Sequence, residues 1–167
     1  LLDKQGVMEW VPVPEGDRLL LHALRVGVGL IEVSLTRDEW AQAVFVALLR
    51  QHHSLHRSSA DSLYEKPWMA QLEIHMLGAC GELAAAKAIG LPWPSSVNTY
   101  KGESDLPGGI EVRHRTKSHY DLIVRDDDPD DRRYVLTLGE VADVPKIKVV
   151  GWMLGSDAKR DEWRQTH

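Results

Sequence analysis

Hydrophobic and polar residues alternate along the chain just after its first thirty positions. Three apolar residues recur at every second position: Ile31, Val33 and Leu35. Glu32 and Ser34 stand between them, which is the period of a β-strand with one buried face. The pattern predicts a strand over residues 29–35.

The residues that follow this strand have the signals of a helix start. Thr36 and Glu39 have the spacing of a capping box, in which each side chain hydrogen-bonds the free backbone N–H of the other residue. Apolar residues then recur at helical spacing: Trp40, Val44, Ala47 and Leu48. The sequence therefore predicts a helix that ends near His52.

A longer helix is predicted over residues 67–89. Proline is tolerated in a first helical turn, and Gly90 and Pro92 end the pattern. Gly78 and Gly81 interrupt its apolar middle, and each costs the helix about 1 kcal/mol relative to alanine. We expect a close approach of this helix to a sheet or to another backbone to offset that cost.

From Val97 onward the pattern changes from helical to extended. The segments with strand character are 97–101, 110–116, 120–125, 133–138 and 147–153. Gly108 and Gly109 form a turn before the second of them, and the short spacing between the second and third predicts a hairpin. The acidic run 126–131 is interpreted as a solvated loop, and residues 155–163 as a short terminal helix.

The whole chain has the composition of a globular protein. Its 167 residues suffice for one ordinary domain, and 43% hydrophobic and 27% charged residues argue against disorder. No apolar run approaches the roughly 20 residues that a membrane-spanning helix needs, so we expect a cytoplasmic protein without a membrane partner. Residues 1–60 are interpreted as an N-terminal strand–helix elaboration of the same domain as a core over 61–167.

The charge balance bears on the partners of the chain. Twenty basic and 25 acidic residues give a formal charge of −5. Indiscriminate binding to nucleic acid depends on neutralising phosphates with lysine and arginine, so this balance argues against a coating or packaging protein. A nuclease is still compatible with it, because a bound divalent cation changes the local field more than distant surface acids do.

Three acidic residues are candidates for chemistry in the second half of the chain: Glu82, Asp105 and Glu111. Glu111 and Arg113 share one face of their predicted strand, a pattern that is also common in a solvated hairpin. Asp105 lies just upstream, across a short turn. Glu82 stands among glycines and alanines, where a buried carboxylate needs a partner or a metal. Three oxygen ligands suit a hard cation such as Mg²⁺ or Mn²⁺.

These residues, in chain order, resemble the motif of a known superfamily. The motif consists of Gly81–Glu82 in an alanine-rich helix, then Asp105, then Glu111–Val112–Arg113 in a strand. It resembles the PD-(D/E)XK nuclease-like superfamily, and the stretch 78–164 is similar to small phage- or prophage-encoded members. The resemblance implies an α+β, restriction-endonuclease-like mixed sheet flanked by the long helix, in a bacterial host cytoplasm. Residues 1–60 are not explained by it.

The resemblance also implies an activity, the divalent-metal-dependent hydrolysis of DNA phosphodiester bonds. Asp105 and Glu111 would hold Mg²⁺ or Mn²⁺, and Glu82 would complete the site directly or through water. The last motif position, usually a lysine, is Arg113, which stays protonated and clamps phosphate rather than acting as a base. Lys117 has the same strand parity if the strand continues, and is a second candidate for the role of that lysine.

A locally basic cluster follows the motif, and its sequence does not decide which partner the chain binds. His114, Arg115 and His119 are interpreted as a ridge that contacts nucleic-acid phosphates, with an exposed hairpin that offsets the acidic loop as the alternative. Two other functions stay open beside the nuclease. One is a catalytically degenerate nucleic-acid-binding protein, and the other is a structural or interaction protein of a phage that forms a homo-oligomer through its N-terminal region.

Overall fold

A four-stranded mixed sheet and three helices make up the described part of the chain, an α+β arrangement. The computed structural model describes residues 31–55, 67–97, 102–117, 119–140 and 146–163. The strands are β1 (Ile31–Ser34), β2 (Ile110–Arg115), β3 (Arg133–Leu138) and β4 (Lys146–Leu154). The helices are α1 (Arg37–Leu55), α2 (Trp68–Ile89) and α3 (Gly155–Ala158), followed by a 3-10 turn over Asp161–Trp163. None of the helices in these ranges is long and apolar enough to cross a membrane.

The predicted capping box starts α1. The backbone N–H of Thr36 donates to Glu39 Oε2 at 2.7 Å, and the N–H of Glu39 donates to Thr36 Oγ1 at 3.2 Å. Glu39 also accepts a hydrogen bond from Lys87 Nζ of α2, and this bond lowers the pKa of Glu39. The same residues therefore begin the first helix and tie it to the second.

The long helix α2 forms as predicted and ends at Gly90, whose φ of 77° is in the left-handed region that favours glycine. Gly81 packs so closely on the sheet that a Cβ added there would lie 2.7 Å from Thr137 Oγ1 and 2.9 Å from His114 Nδ1. The predicted close approach is thus confirmed at Gly81. A Cβ at Gly78 would meet no atom within 4 Å, so that glycine is not explained in the same way.

The sheet has the strand order β1-β4-β3-β2. β4 is antiparallel to both β1 and β3, whereas β2 is parallel to β3. The predicted hairpin of 110–116 with 120–125 is wrong, because residues 120–125 do not form a strand. They belong to the connection between β2 and β3, which has to cross back along the sheet because the two strands are parallel. Of the predicted strand 97–101, only Val97 lies among the described residues.

The main hydrophobic core lies between α2, α1 and one face of the sheet. It includes Ile110 and Val112 of β2, together with the small residues of α2 from Ala84 to Ala86. Side chains alternate along a strand, so Glu111 and Arg113 point away from this core, as their spacing predicts. In the described part of the chain β2 is the last strand of the sheet, and side chains from other segments lie along its outer edge.

Candidate functional site

A polar pocket of about 670 Å³ lies at the outer edge of β2. Its acidic lining residues are Glu82, Glu103, Asp105, Glu111, Asp127 and Asp128. Its arginines are Arg50, Arg113, Arg125 and Arg132. Six acids against four arginines give the lining a formal excess of two negative charges. The pocket thus collects the four motif residues Glu82, Asp105, Glu111 and Arg113 from separate segments of the chain.

Contacts with the edge of β2 hold Asp105 in position. Leu106 forms a β-bridge with Ile110 across the turn, and Asp105 Oδ2 accepts the backbone N–H of Val112 at 2.8 Å. Burial, with the nearby carboxylates of Glu82 and Glu111, raises the pKa of Asp105 to about 7, against the lowering by the Val112 hydrogen bond and the charge of Arg113. Burial is the largest of these causes, because it disfavours the charged form of the carboxyl group.

Two arginines hold the carboxylate of Glu111. Arg132 Nη1 donates to Glu111 Oε1, and Arg113 Nη1 lies 3.3 Å from Glu111 Oε2. Arg132 is itself fixed by the backbone carbonyls of Gly102 at 3.0 Å and Glu103 at 3.3 Å. Arg132 was not predictable from the sequence, because no spacing relates it to Glu111.

Arg113 lies between two acids and an aromatic ring. Its Nη2 donates to both carboxylate oxygens of Asp128 at 3.2 Å, and its guanidinium lies 5.1 Å from the centre of the Tyr134 ring. Burial alone would lower the pKa of Arg113, but the charges of Asp128 and Glu111 outweigh it and raise the pKa. The guanidinium is therefore a fixed cation with a defined orientation.

The acidic run 126–131 is largely exposed, as a solvated loop should be, but its residues 127–129 also line the pocket. Lys159 holds it in place, because Lys159 Nζ donates to the carbonyls of Asp126 and Asp128 and to Asp130 Oδ1. Tyr134 adds a hydrogen bond from its hydroxyl to the carbonyl of Pro129 at 3.0 Å. The anchor Lys159 is 31 residues from Asp128 in the sequence, so local composition does not reveal that this loop brings Asp128 to Arg113.

Glu82 is buried and paired, as the sequence analysis required of it. Arg50 of α1 donates from Nη1 and Nη2 to the two carboxylate oxygens, each at 2.7 Å. Trp93 Nε1 donates to Glu82 Oε2 at 3.2 Å, and Arg50 also bonds the carbonyl of Ser96. The partner of Glu82 comes from residues 1–60, the part of the chain that the resemblance does not cover.

The remaining predicted site residues lie outside this pocket. His114 faces α2, where Nε2 bonds the carbonyl of Gly139 at 2.9 Å and Nδ1 lies 3.0 Å from Thr137 Oγ1. Burial lowers the pKa of His114, so the ring is neutral at pH 7. Lys117 is exposed beyond the end of β2, and Arg115 and His119 both contact the ring of Tyr120.

The pocket contains carboxylate oxygens, the kind of donor that a divalent cation uses. Among the described residues, no three His, Cys, Asp or Glu side chains are grouped to hold one ion. Mg²⁺, however, commonly binds through one or two carboxylates and completes its shell with water and substrate phosphate. Asp105 and Glu111 carry such oxygens, but both oxygens of Glu111 are bonded to arginines, so an ion there would replace one of those bonds. The formal excess of two negative charges in the lining equals the charge of one such ion.

The raised pKa of Asp105 predicts that the metal-free chain loses stability as pH rises from about 4 to about 7. Between the unfolded pKa of 3.8 and the folded pKa of about 7, the folded chain binds more protons than the unfolded chain. The free energy of unfolding therefore falls across this window, by on the order of a few kcal/mol. Urea denaturation with a chelator at about pH 5 and about pH 8 measures it.

The Asp105→Asn variant should lack this part of the pH dependence, because an amide does not titrate. Glu32→Gln is the matched control, since Glu32 is exposed on β1 at the other edge of the sheet. Equal pH dependence in wild type and Asp105→Asn would contradict the assignment of the raised pKa to Asp105.

Comparison with protein-family models, with curated proteins and with solved structures finds no match to this chain. Its function is therefore inferred from the residues of the pocket, their geometry and the motif they form.

Proposed function

We propose that this chain is a divalent-metal-dependent phosphodiesterase that hydrolyses DNA, built on a restriction-endonuclease-like core. The observation that carries the proposal is the meeting of Glu82, Asp105, Glu111 and Arg113 in one pocket at the edge of β2. These residues come from a helix, a turn and a strand in the order of the PD-(D/E)XK motif. A solvated hairpin, the simplest alternative for Glu111 and Arg113, offers no reason for Glu82 and Asp105 to join them.

Asp105 and Glu111 would hold Mg²⁺ or Mn²⁺. Such an ion supplies an activated water and neutralises charge that develops on phosphorus. Asp105 carries a proton near neutral pH, and that proton would leave when a cation takes its place, so metal affinity should rise with pH. Arg132 keeps the Glu111 carboxylate in one orientation.

Arg113 and Glu82 have supporting roles in this proposal. The guanidinium of Arg113, oriented by Asp128 and Glu111, would donate to a phosphate oxygen in the two-pronged manner that arginine favours. Both oxygens of Glu82 accept bonds from Arg50 at 2.7 Å and one accepts a further bond from Trp93, so Glu82 would act on the ion through water and through its charge. The oxygens of Glu111 are bonded to Arg132 and, at 3.3 Å, to Arg113, so an ion bound by Glu111 would displace one of these guanidinium groups. Lys117 has no role here, since it lies outside the pocket lining.

A non-catalytic nucleic-acid-binding protein is the second candidate. Arg113 stands where the motif usually has lysine, and it is paired with two acids, so it cannot accept a proton from water. A chain that has lost the catalytic step would keep the same phosphate-binding arginine. DNA binding without cleavage is the outcome that this candidate predicts.

The purified wild-type chain should cut DNA only when Mg²⁺ or Mn²⁺ is present. Linear duplex, circular duplex and single-stranded DNA are incubated with each metal and with a chelator, and products are resolved on gels. The expected result is cleavage with metal and none with chelator, because the pocket has no other source of an activated water in this proposal. Binding without cutting by folded protein would favour the second candidate, and neither binding nor cutting would contradict both.

A further inference from the structure

An exposed aromatic residue lies in the segment that follows β2, the strand that carries Glu111 and Arg113. The side chain of Tyr120 is 37% exposed and does not belong to the hydrophobic core of the described residues. Arg115 places its guanidinium 4.7 Å from the centre of the Tyr120 ring. His119 meets the same ring edge-on, with the two ring centres 4.7 Å apart and the planes at 65°. We call these three residues the Tyr120 platform.

The platform lies in line with the proposed active site. Arg115 is two residues beyond Arg113 on β2 and therefore shares its face, at a distance of about 7 Å along the strand. The backbone N–H of Tyr120 donates to the carbonyl of Lys117 at 3.1 Å, which fixes a turn directly after the strand. A nucleic-acid strand with one phosphate on Arg113 would bring its neighbouring nucleotide over this turn.

The chemistry of the platform suits a nucleotide better than a protein side chain. The guanidinium of Arg115 lies over the Tyr120 ring, and 37% of the residue stays exposed to solvent. An aromatic ring at a cationic surface is the usual arrangement for holding single-stranded nucleic acid, since the ring stacks on a base and the cations attract the phosphates. The exposed Lys117 adds a further positive charge at the same turn.

We propose that the Tyr120 platform stacks on an unpaired base next to the phosphate in the pocket, so that the preferred substrate is DNA with a single-stranded stretch at the cleavage site. This inference rests on the proposed function, because it assigns the phosphate to the pocket. Bases inside a continuous duplex are stacked on each other and paired, and they leave no free face for Tyr120. The platform therefore discriminates between unpaired and paired DNA.

Fluorescence anisotropy with a labelled single-stranded oligonucleotide and the matching duplex tests this inference. Binding is measured with Mg²⁺ present in a Glu111→Gln background, so that the DNA is not cut. Tyr120→Ala is expected to weaken single-strand binding about 5- to 100-fold, the usual effect of removing one base-stacking aromatic. Tyr120→Phe keeps the ring and should bind the single strand as tightly as its parent, and duplex binding should be unchanged in both variants.

Ile123→Ala is the matched control, because Ile123 is exposed in the same segment and carries no ring. The inference is overturned if Tyr120→Ala and Ile123→Ala weaken single-strand binding equally, if Tyr120→Ala weakens duplex binding as much as single-strand binding, or if the parent does not bind the single strand. Failure of the proposed function has a different signature. In that case the wild type fails to cut DNA with metal, whatever the binding of the Tyr120 variants.

Discussion

Replacing Glu111 by glutamine is expected to lower the kcat/KM of metal-dependent DNA cleavage by about 10³-fold, or roughly 4 kcal/mol of transition-state stabilisation. Glutamine has nearly the same shape and still accepts a hydrogen bond from Arg132. It lacks the negative charge that a divalent cation needs from this position, and it leaves Asp105 as the one remaining carboxylate of the proposed pair. Initial rates of plasmid nicking, over a range of metal concentrations, measure the loss.

The control for Glu111→Gln removes a glutamate elsewhere on the sheet. Glu32 of β1 is exposed, lies at the opposite edge of the sheet from β2, and forms only a 3.5 Å surface pair with Lys146. Glu32→Gln should cut DNA at the wild-type rate, and circular dichroism should show both variants folded. If Glu111→Gln cuts as fast as wild type, either the activity belongs to a contaminant or the active site lies elsewhere.

Replacing Arg50 by alanine is expected to lower the free energy of unfolding by about 3–5 kcal/mol, because it leaves the buried carboxylate of Glu82 without its charged partner. The side chains of the pair are 16% and 8% exposed, so water replaces little of what the guanidinium provides. The variant also loses two bonds to the carbonyl of Ser96, which releases the segment that carries Trp93. Urea denaturation followed by circular dichroism measures the change.

The chain supplies a matched comparison for this pair. Lys87 and Glu39 also join α2 to α1, at 2.8 Å, but their side chains are 41% and 28% exposed. Lys87→Ala should therefore cost only about 0.2–1 kcal/mol, the usual contribution of a surface ion pair. The double variant Arg50→Met/Glu82→Leu should recover much of the stability lost in Arg50→Ala, since it removes both charges and fills their space. Equal costs for Arg50→Ala and Lys87→Ala would mean that burial does not set the strength of these pairs.

Elements with strong local signals were predictable from the sequence. The capping box of Thr36 and Glu39 marked the start of α1, and the proline and glycine at its ends marked α2 to within one residue. β3 forms over the predicted residues 133–138, where strand-forming residues run from Tyr134 to Leu138. Strand pairing was not predictable in the same way. The short spacing between 110–116 and 120–125 suggested that these two segments pair in a hairpin. Instead β2 pairs with β3, and this pairing depends on contacts between segments that are distant in the sequence.

The residues of the candidate site were likewise predictable only where a local sequence pattern marked them. Alternation along one strand was enough to place Glu111 and Arg113 on the same face, and nearness in sequence was enough to relate Asp105 to them. The partners Arg50, Arg132 and Asp128 were missed, because each pairs with a site residue across the fold and no periodicity marks it. The position of Glu82 among alanines in a buried helix did indicate that its carboxylate needs a cation. It did not indicate that Arg50 is that cation.

The strand order has a consequence for how the chain folds as it is synthesised. β1 is the earliest described strand, yet its partner β4 is the last one, so β1 has no strand to pair with until residues 146–154 have left the ribosome. The strand that carries Glu111 needs only β3 and the long helix, both made earlier. The nascent chain can therefore pair the strand that carries Glu111 while β1 still lacks its partner, whereas the acidic run of the pocket is anchored only after Lys159 has been made. Until residues 146–154 have emerged, β1 is exposed to chaperones and to wrong pairing.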